Sequence, residues 1–535
     1  MNNHLKKIKI SFSVAILSLI AIMIGGGFVM KDNNYFTGEQ VSQTINYLKY
    51  KLSFAQTNNN NLTASALTLF SNSNLTIIRN DTAKSIPVLL YHGIVPASDR
   101  FSMTPEAFKN QMFALKRAGY ETVKIEDFYD FINGTKDLPD KSFLLTFDDG
   151  RKDSYLEADP ILRVLGYKAV MFAVTSNSLP ENSKVSNYYL NRAELQTMIN
   201  SGRWEIESHG KQESHNDKIN SGFVQISATE EKGNFLSNLM WLPDEDRLET
   251  LTEYEVRLQD ELAGSKKIFQ DILGISVIAF AYPFDDFGQQ SVNNIMISKE
   301  LIKEEIGINY KLAFHQVWDN DSSYTFNYKL DNPLISKRIE SATDWTGEEL
   351  ISYLEKGRDK SLPYADLFLN NNGWKKYWGS LNFSDNSLII GARNSTTGSG
   401  ILLDGSYLWQ DYIVNTVVEL TKGQTFSLLA RYKDDKNYTV CSYSDKSIRA
   451  EQSVNGERKI LYEWNADFKF IGKIKDVGIA VKGDVVDCYL DKQIAVRGLN
   501  LDKNLSHGGI GFKTWDPQMN NSELIIKSVS VEETK

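Results

Sequence analysis

The sequence is poor in cysteine and histidine, the two residue types that most often bind zinc. Its 535 residues include two cysteines, Cys441 and Cys488. Two thiols cannot build a Cys-rich zinc module or a disulfide scaffold, so a metal site here would need histidine and carboxylate ligands. Only six histidines are present, which leaves few candidates for histidine chemistry. Basic residues are also outnumbered, and the net charge of −9 argues against a nucleic-acid partner.

The remaining composition is that of an ordinary soluble protein. Hydrophobic residues make up 41% and charged residues 24% of the chain, which excludes a wholly disordered or fibrous protein. The length alone predicts about three to four domains.

The amino-terminal segment 1–30 predicts a membrane anchor. Residues 11–30 carry no charge and follow Lys6, Lys7 and Lys9, and a run of about 20 apolar residues spans a bilayer as a helix. Basic residues before the run favour an exported body. A signal peptide is the alternative, but the run ends in glycines without an Ala-x-Ala site. We therefore expect a body held outside the cell at the membrane, or secreted if the segment is cleaved. Residues 31–85, polar and Asn-rich, predict a stalk.

Between residues 86 and 358, short apolar runs alternate with helical patterns. The predicted strands cover 86–91, 121–125, 143–147, 168–174, 204–207, 277–281 and 310–315. The predicted helices cover 104–119, a segment ending at 132, 157–165, 191–200, 253–273, 290–306 and 346–357. This alternation predicts an α/β fold with a parallel sheet, and about seven units predict a (β/α)7-type barrel. Functional residues are then expected in the loops that follow the strands.

Two adjacent carboxylates, Asp148 and Asp149, directly follow the apolar strand 143–147. Successive strand residues point to opposite sides, so one carboxylate could bind a metal while the other stays free as a base. The alternative is a solvated Asp-Asp-Gly turn. With Asp149, the histidines His209 and His215 would make a three-ligand zinc site that keeps a position open for water. Two loop histidines without a joint role are the alternative for that pair.

A general acid is the third function that this sequence could supply. His92 ends the first predicted strand and could protonate a leaving group, although a lone histidine is usually structural. His315 also ends a strand and is the second candidate. His4 lies before the apolar run and His507 in a separate domain, so neither is considered further.

At these residues the sequence resembles the polysaccharide deacetylases, carbohydrate esterase family 4. The resemblance covers residues 86–358 and is carried by Tyr91-His92, by Leu-Thr-Phe-Asp-Asp-Gly at 145–150, and by Ala-Phe-Ala-Tyr-Pro-Phe at 279–284. An insertion at 216–252 makes the sequence most similar to the biofilm poly-N-acetylglucosamine deacetylases.

The resemblance implies a distorted barrel and a metal-dependent hydrolase of N-acetylated polysaccharide. Asp148 matches the catalytic base, and Asp149, His209 and His215 match the ligands of a divalent metal, with zinc expected. In the biofilm branch the opening Tyr-His supplies the general acid, which points to His92.

The third motif implies an oxyanion or substrate contact. The backbone N–H near Phe284 matches the oxyanion contact, with Tyr282 beside it.

This sequence departs from the family pattern at two places. The histidine spacing is longer than usual, so Glu213 or Asp217 could replace His215 as a ligand. Ala281 stands where many members have an arginine that orients the base, and Arg338 could compensate from another strand.

The carboxyl-terminal region 366–535 predicts a second domain. Strand patterns at 425–432, 438–442, 477–481, 485–490 and 524–531, separated by turns, predict an all-β sandwich. Such a domain could bind carbohydrate through Trp374, Trp378, Trp409 or Trp515, although each of these is more often a core residue. Cys441 and Cys488 fall in two of the strands and could pair outside the cell.

Two other functions compete with deacetylation. A glycoside hydrolase could use Asp148 and Asp149 as its carboxylate pair, but such pairs must flank a bond, and adjacency in one turn is poor geometry for that. A catalytically inactive surface protein that binds glycan would explain the unusual histidine spacing and the missing arginine.

Overall fold

The computed structural model describes residues 81–180, 186–212, 222–229, 231–318 and 321–534. The predicted anchor and nearly all of the predicted stalk lie outside these residues. Within the described residues, no helix is both long and apolar enough to cross a membrane.

Seven parallel strands close into a barrel, as the alternation predicts. Each strand pairs with its neighbours, and the first strand pairs with both the second and the seventh, which closes the ring. The strands are β1 Val88–Tyr91, β2 Ser142–Phe147, β3 Ala169–Ala173, β4 Trp204–Ser208, β5 Ala279–Ala281, β6 Leu312–Val317 and β7 Ser336–Glu340. Because β1, β2 and β3 are buried along their whole length, they read in the sequence as continuous apolar runs.

Eight helices are described along the barrel. They are α1 Pro105–Arg117, α2 Ile125–Ile132, α3 Lys152–Leu165, α4 Thr175–Ser178, α5 Arg192–Asn200, α6 Leu251–Leu273, α7 Ser298–Asn309 and α8 Gly347–Gly357. Their starts follow local capping chemistry. The Thr104 side chain accepts from the Ala107 N–H ahead of Pro105, and α6 begins with a capping box between Thr250 and Glu253.

Four elements differ from the sequence prediction. The strand predicted at 121–125 covers only Glu121–Thr122 and pairs with β2 outside the ring. The helix predicted at 290–306 begins only at Ser298, because Asn293 and Asn294 form polar contacts with Asp286 and Asn238 in a turn. The helix predicted at 157–165 begins at Lys152. Strand β7 was not predicted, because its sequence Ser-Lys-Arg-Ile-Glu has one apolar residue.

The insertion before α6 forms two small hairpins in its described part. Phe223–Gln225 pairs with Lys232–Asn234, and Trp241–Leu242 pairs with Arg247–Leu248. Two further short strands, Ser85–Ile86 and Asn327–Tyr328, pair beside the barrel, and Glu121–Thr122 adds to β2.

The carboxyl-terminal region is a β-sandwich, as predicted. One sheet runs in the order Ser380–Ser384, Ser387–Gly391, Glu523–Glu533, Tyr412–Lys422, Ile474–Lys482, Val485–Leu490 and Gln493–Asn500, with Tyr364–Asp366 also on Glu523–Glu533. The other runs Trp374–Trp378, Gly398–Leu403, Gly509–Trp515, Thr425–Asp434, Asn437–Ser444, Ser447–Val454 and Glu457–Asn465. Cys441 and Cys488 form a disulfide that joins the two sheets through the core.

The tryptophans of the sandwich divide between core and surface. Trp374 and Trp409 are buried, and their indole N–H groups donate to Asp366 and to the Lys360 carbonyl. They are therefore core residues, and neither can stack on a sugar. Trp378 is half-buried and Trp515 is exposed.

The barrel and the sandwich share a polar junction. The Tyr324 hydroxyl donates to the Tyr432 carbonyl over 2.9 Å, and the Tyr432 hydroxyl donates to the Ser322 carbonyl over 2.8 Å. Thr325 bonds to Asp404 through both its N–H and its hydroxyl. These bonds are buried or partly buried, and several side chains contribute to them. They attach the sandwich to the barrel.

Candidate active site

The carboxyl ends of the barrel strands bring most of the predicted residues to one edge. His92 follows β1, Asp148 and Asp149 follow β2, and His209 follows β4. Phe284 lies in the turn after β5. This is the edge at which parallel barrels carry their active sites.

Asp148 is held by Arg338, which points from β7. The guanidinium donates from Nη1 to Oδ1 over 2.6 Å and from Nη2 to Oδ2 over 2.7 Å, and both side chains are buried. Burial alone raises the pKa of Asp148, but Arg338, and after it His209 and His92, outweigh burial and hold that pKa below its usual value. Asp148 is therefore a fixed, ionised carboxylate. Arg338, which the sequence suggested as a substitute for the family's arginine, thus bonds directly to the Asp148 carboxylate.

Asp149 leaves the strand in a left-handed conformation with φ 70°, followed by Gly150 with φ 66°. This turn separates the two carboxylates, so that Asp148 is buried while Asp149 is partly exposed at the edge. Aspartate tolerates this conformation better than most residues do, but at a cost of about 1 kcal/mol or more. The adjacent carboxylates thus have different surroundings.

His209 faces Asp149 with one ring nitrogen. Its Nδ1 lies 2.9 Å from the Ala281 carbonyl, and because a carbonyl only accepts, Nδ1 carries the proton. The other ring nitrogen, Nε2, points toward Asp149, with 3.6 Å between Nε2 and Oδ1. An imidazole fixed this way beside a carboxylate is a donor pair suited to a divalent metal ion.

The third predicted ligand, His215, and its alternatives Glu213 and Asp217 lie outside the described residues. Within the described part of the chain, no group of three or more histidine, cysteine or acidic side chains forms a metal cluster.

Glu261 of α6, which the sequence did not single out, holds the segment after His209. Its carboxylate accepts the Lys211 N–H over 2.6 Å and the Gln212 N–H over 3.0 Å, and Gln212 in turn donates to the His209 carbonyl over 2.9 Å. Burial raises the pKa of Glu261 to about 7. A signal existed in the sequence, since Glu261 interrupts the apolar face of α6 formed by Leu258, Leu262 and their neighbours.

His92 is paired with Glu340, a second residue that the sequence did not single out. Nδ1 of His92 lies 3.3 Å from Oε1 of Glu340. Burial alone lowers the pKa of His92, but Glu340 first, then Asp148 and Asp149, raise it above its usual value. Glu340 was missed because its strand, β7, has no apolar signature.

The pKa of His315, the second candidate for the general acid, shifts in the opposite direction from that of His92. Burial, with the positive charges of Lys337 and Arg338, lowers its pKa to about 4. Its imidazole is therefore neutral at pH 7 and is not a source of protons there. Nδ1 lies 3.7 Å from Oδ1 of Asp285.

Tyr282 and Phe284 differ in exposure. The Tyr282 side chain is buried and its hydroxyl donates to the Leu334 carbonyl over 2.9 Å, so it faces away from solvent. Phe284 is left-handed with φ 58°, and its exposed ring packs on Phe223 with 4.4 Å between ring centroids. The turn thus keeps a tight backbone at the position predicted for the oxyanion contact.

Comparison with known proteins agrees with this barrel and its motifs. Residues 135–298 match the family model described as polysaccharide deacetylase. The family resemblance found in the sequence is thereby confirmed for this part of the barrel.

Three relatives illustrate the extent of the similarity. The poly-β-1,6-N-acetyl-D-glucosamine N-deacetylase of Escherichia coli K12 is 26% identical over 201 residues, 36% of this chain and 29% of the relative. A de-N-acetylase structure from Aggregatibacter actinomycetemcomitans has a TM-score of 0.40 at 22% identity, covering 50% of this chain and 98% of that one. The structure of IcaB from Ammonifex degensii has a TM-score of 0.36 at 19% identity, and the match covers 50% of this chain and 97% of that one. The chain spans less than a third of the length of the E. coli relative.

Proposed function

We propose that this protein removes N-acetyl groups from an extracellular amino-sugar polysaccharide, in a reaction that depends on a divalent metal ion. The observation that carries the proposal is the arrangement of Asp149 and His209, with 3.6 Å between Oδ1 and Nε2, beside the buried Asp148 held by Arg338. The name of the E. coli relative supports an N-acetylglucosamine polymer as the substrate class.

Asp149 and His209 would hold the metal, with His215 as the third ligand carried over from the family. The donor set of one carboxylate and imidazole nitrogens suits zinc. A bound divalent ion supplies Lewis acidity to the acetyl carbonyl and lowers the pKa of water.

Two charged pairs supply the proton transfers in this proposal. Asp148 accepts a proton from the attacking water, and Arg338 keeps that carboxylate ionised and fixed in direction. His92 donates a proton to the departing nitrogen, and Glu340 favours the protonated imidazole. A backbone N–H in the turn at Phe284 stabilises the oxyanion. Water and the amide are thus converted into acetate and a free amino sugar.

The alternatives make different demands on the same residues. A glycoside hydrolase needs two carboxyl groups on opposite sides of a sugar linkage, roughly 5 to 9.5 Å apart. Here Asp148 and Asp149 are adjacent in one turn after β2, which is poor geometry for a pair that must flank a sugar linkage. An inactive glycan-binding protein would not need an ionised carboxylate beside a candidate metal pair.

Acetate release from poly-N-acetylglucosamine tests the proposal. We expect acetate to appear with free amine, to stop with a chelator, and to return with zinc. Reducing ends without acetate would favour a glycoside hydrolase. Polymer binding without any product would favour the inactive glycan-binding protein.

We further propose that residues 1–30 anchor the protein in the cell membrane with its body outside. The disulfide between Cys441 and Cys488 supports this, because such bonds persist in oxidising compartments. The expected result is full-length protein in the membrane fraction and accessible to added protease on intact cells. A mature chain that starts near residue 31 in the medium would instead support secretion.

A further inference from the structure

Two exposed aromatic rings lie on neighbouring loops at the carboxyl ends of the barrel strands and have no part in the proposed proton transfers. Phe284 follows β5 and is 49% exposed, and Trp318 follows β6 and is 39% exposed. Because β5 and β6 are paired along the barrel, the loops that carry these rings are adjacent.

Trp318 is held in place by hydrogen bonds at both its backbone and its ring. Its indole N–H donates to Oδ2 of Asp285 over 3.0 Å, and its backbone N–H donates to Asp321 over 2.8 Å. The polar group of the indole is therefore satisfied inside the protein, and what remains for a ligand is the apolar ring face. A ring fixed in advance loses little freedom when a ligand binds.

Asp285 joins this ring to the turn that carries Phe284. Its Oδ1 accepts the Gln316 N–H over 2.6 Å while Oδ2 accepts the Trp318 indole. Phe284 and Asp285 both adopt φ 58°, an unfavourable conformation for non-glycine residues. The bonds to β6 and to Trp318 hold this turn, and the Phe284 ring is turned out against Phe223.

The same bonds connect the turn of Phe284 to the strand that pairs with β7. Gln316, which donates to Asp285, is the register partner of Arg338 in the parallel pair β6–β7. Arg338 in turn holds Asp148. Only β6 therefore lies between the turn that carries Phe284 and Asp285 and strand β7, which carries Arg338.

We propose that Trp318 and Phe284 form an aromatic wall that stacks on a sugar ring of the polymer next to the unit being deacetylated. Asp285 is the positioning residue that fixes this wall. The class of ligand follows from the chemistry offered, since a pyranose presents a flat face of C–H groups, and the wall presents ring faces with no free polar group on the indole. This inference rests on the proposed function, because it assigns a subsite for the same substrate.

Binding and turnover of a pentamer of N-acetylglucosamine test the wall in the full-length, zinc-loaded protein. Trp318→Ala is expected to raise KM and the pentamer Kd about tenfold, with kcat changed much less. The matched control is Trp464→Ala, which removes a tryptophan of similar exposure, 42%, from the sandwich. This control should leave KM and Kd unchanged. Unchanged KM and Kd in Trp318→Ala would overturn the proposal.

A double-mutant cycle tests the role of Asp285. Asp285→Asn keeps an oxygen that accepts from the Gln316 N–H, but its amide nitrogen cannot accept from the Trp318 indole N–H. The indole is then no longer held, so KM should rise with little change in kcat. In a Trp318→Phe background, which retains a ring but lacks the indole N–H, the same change should add nothing to KM. An equal rise in both backgrounds would contradict a positioning role through Trp318.

Acetate release by the wild type and pentamer binding by Trp318→Ala together separate this inference from the proposed function. If the wild-type protein releases no acetate but Trp318→Ala still weakens pentamer binding, the proposed reaction fails and the wall stands. If acetate is released and Trp318→Ala changes neither KM nor Kd, the wall fails and the reaction stands.

Discussion

Arg338 and Asp148, 190 residues apart in the chain, are joined by two parallel hydrogen bonds inside the barrel edge. Both side chains are buried, so each charge depends on the other for compensation. This pair links the last strand of the barrel to the loop that carries both adjacent carboxylates. A buried base needs such a fixed partner to stay ionised.

Removing one member of this pair should be costly. Arg338→Met leaves the Asp148 charge buried without a partner, and the free energy of unfolding should fall by about 3 to 5 kcal/mol. Urea unfolding of the purified variant measures this loss. Adding Asp148→Asn should recover a large part of the lost stability, because the unpaired charge is then gone. Equal stability of Arg338→Met and the wild type would contradict the pair's assignment.

Substitutions of Asp148 and Asp149 should have different effects on catalysis and on zinc binding. Asp148→Asn is expected to lower kcat by about a thousandfold or more while zinc still binds, since a neutral amide cannot accept the proton. Asp149→Ala is expected to lose bound zinc. Metal content and acetate release, measured on the same preparations, check both. The exposed Asp137→Asn serves as the carboxylate control. Stoichiometric zinc in Asp149→Ala would rule out its ligand role.

The pH dependence of kcat should report the pairing of His92 with Glu340. A general acid works while protonated, so kcat falls as pH rises through the pKa of His92. Glu340 raises that pKa, so Glu340→Gln lowers it and should move the basic limb of the profile to lower pH. The exposed Glu348→Gln is the matched control. A basic limb that stays in place would show that His92 is not the acid or that Glu340 does not set its pKa.

Glu261 should affect zinc binding without touching the metal. Glu261→Ala frees the backbone of Lys211 and Gln212, and zinc affinity should fall by about 10- to 100-fold, as for other groups that orient ligands. Calorimetric titration with zinc measures this change. Glu255→Ala, on the exposed face of the same helix, is the control. Wild-type affinity in Glu261→Ala would mean that this segment does not position His209.

The sequence was informative where burial alone determines the residue types. The strands β1 and β2 are fully buried and were predicted from continuous apolar runs. Strand β7 escaped prediction because it carries Arg338 and Glu340, whose charges are compensated only by residues far away in the chain. Those compensating contacts exist only in the folded barrel, and no local pattern encodes them.

The limits of local patterns are equally clear around the helices. Val292, Met296 and Ile297 fall in the segment 290–306 that was predicted to be a helix, yet all three are exposed and precede the helix that starts at Ser298. These apolar residues therefore do not form a buried helix face. The candidate site was predictable as a set of residues at strand ends, whereas the partners that orient it, Glu261 and Glu340, required the structure.

We propose that the residues around Asp148 catalyse metal-dependent N-deacetylation. The most direct measurement is acetate released per free amine formed from poly-N-acetylglucosamine, by metal-depleted protein before and after zinc addition. We expect a one-to-one ratio, no product without metal, recovery with zinc, and almost no product from zinc-loaded Asp148→Asn. Acetate release that is indifferent to metal, or undiminished in Asp148→Asn, would contradict it.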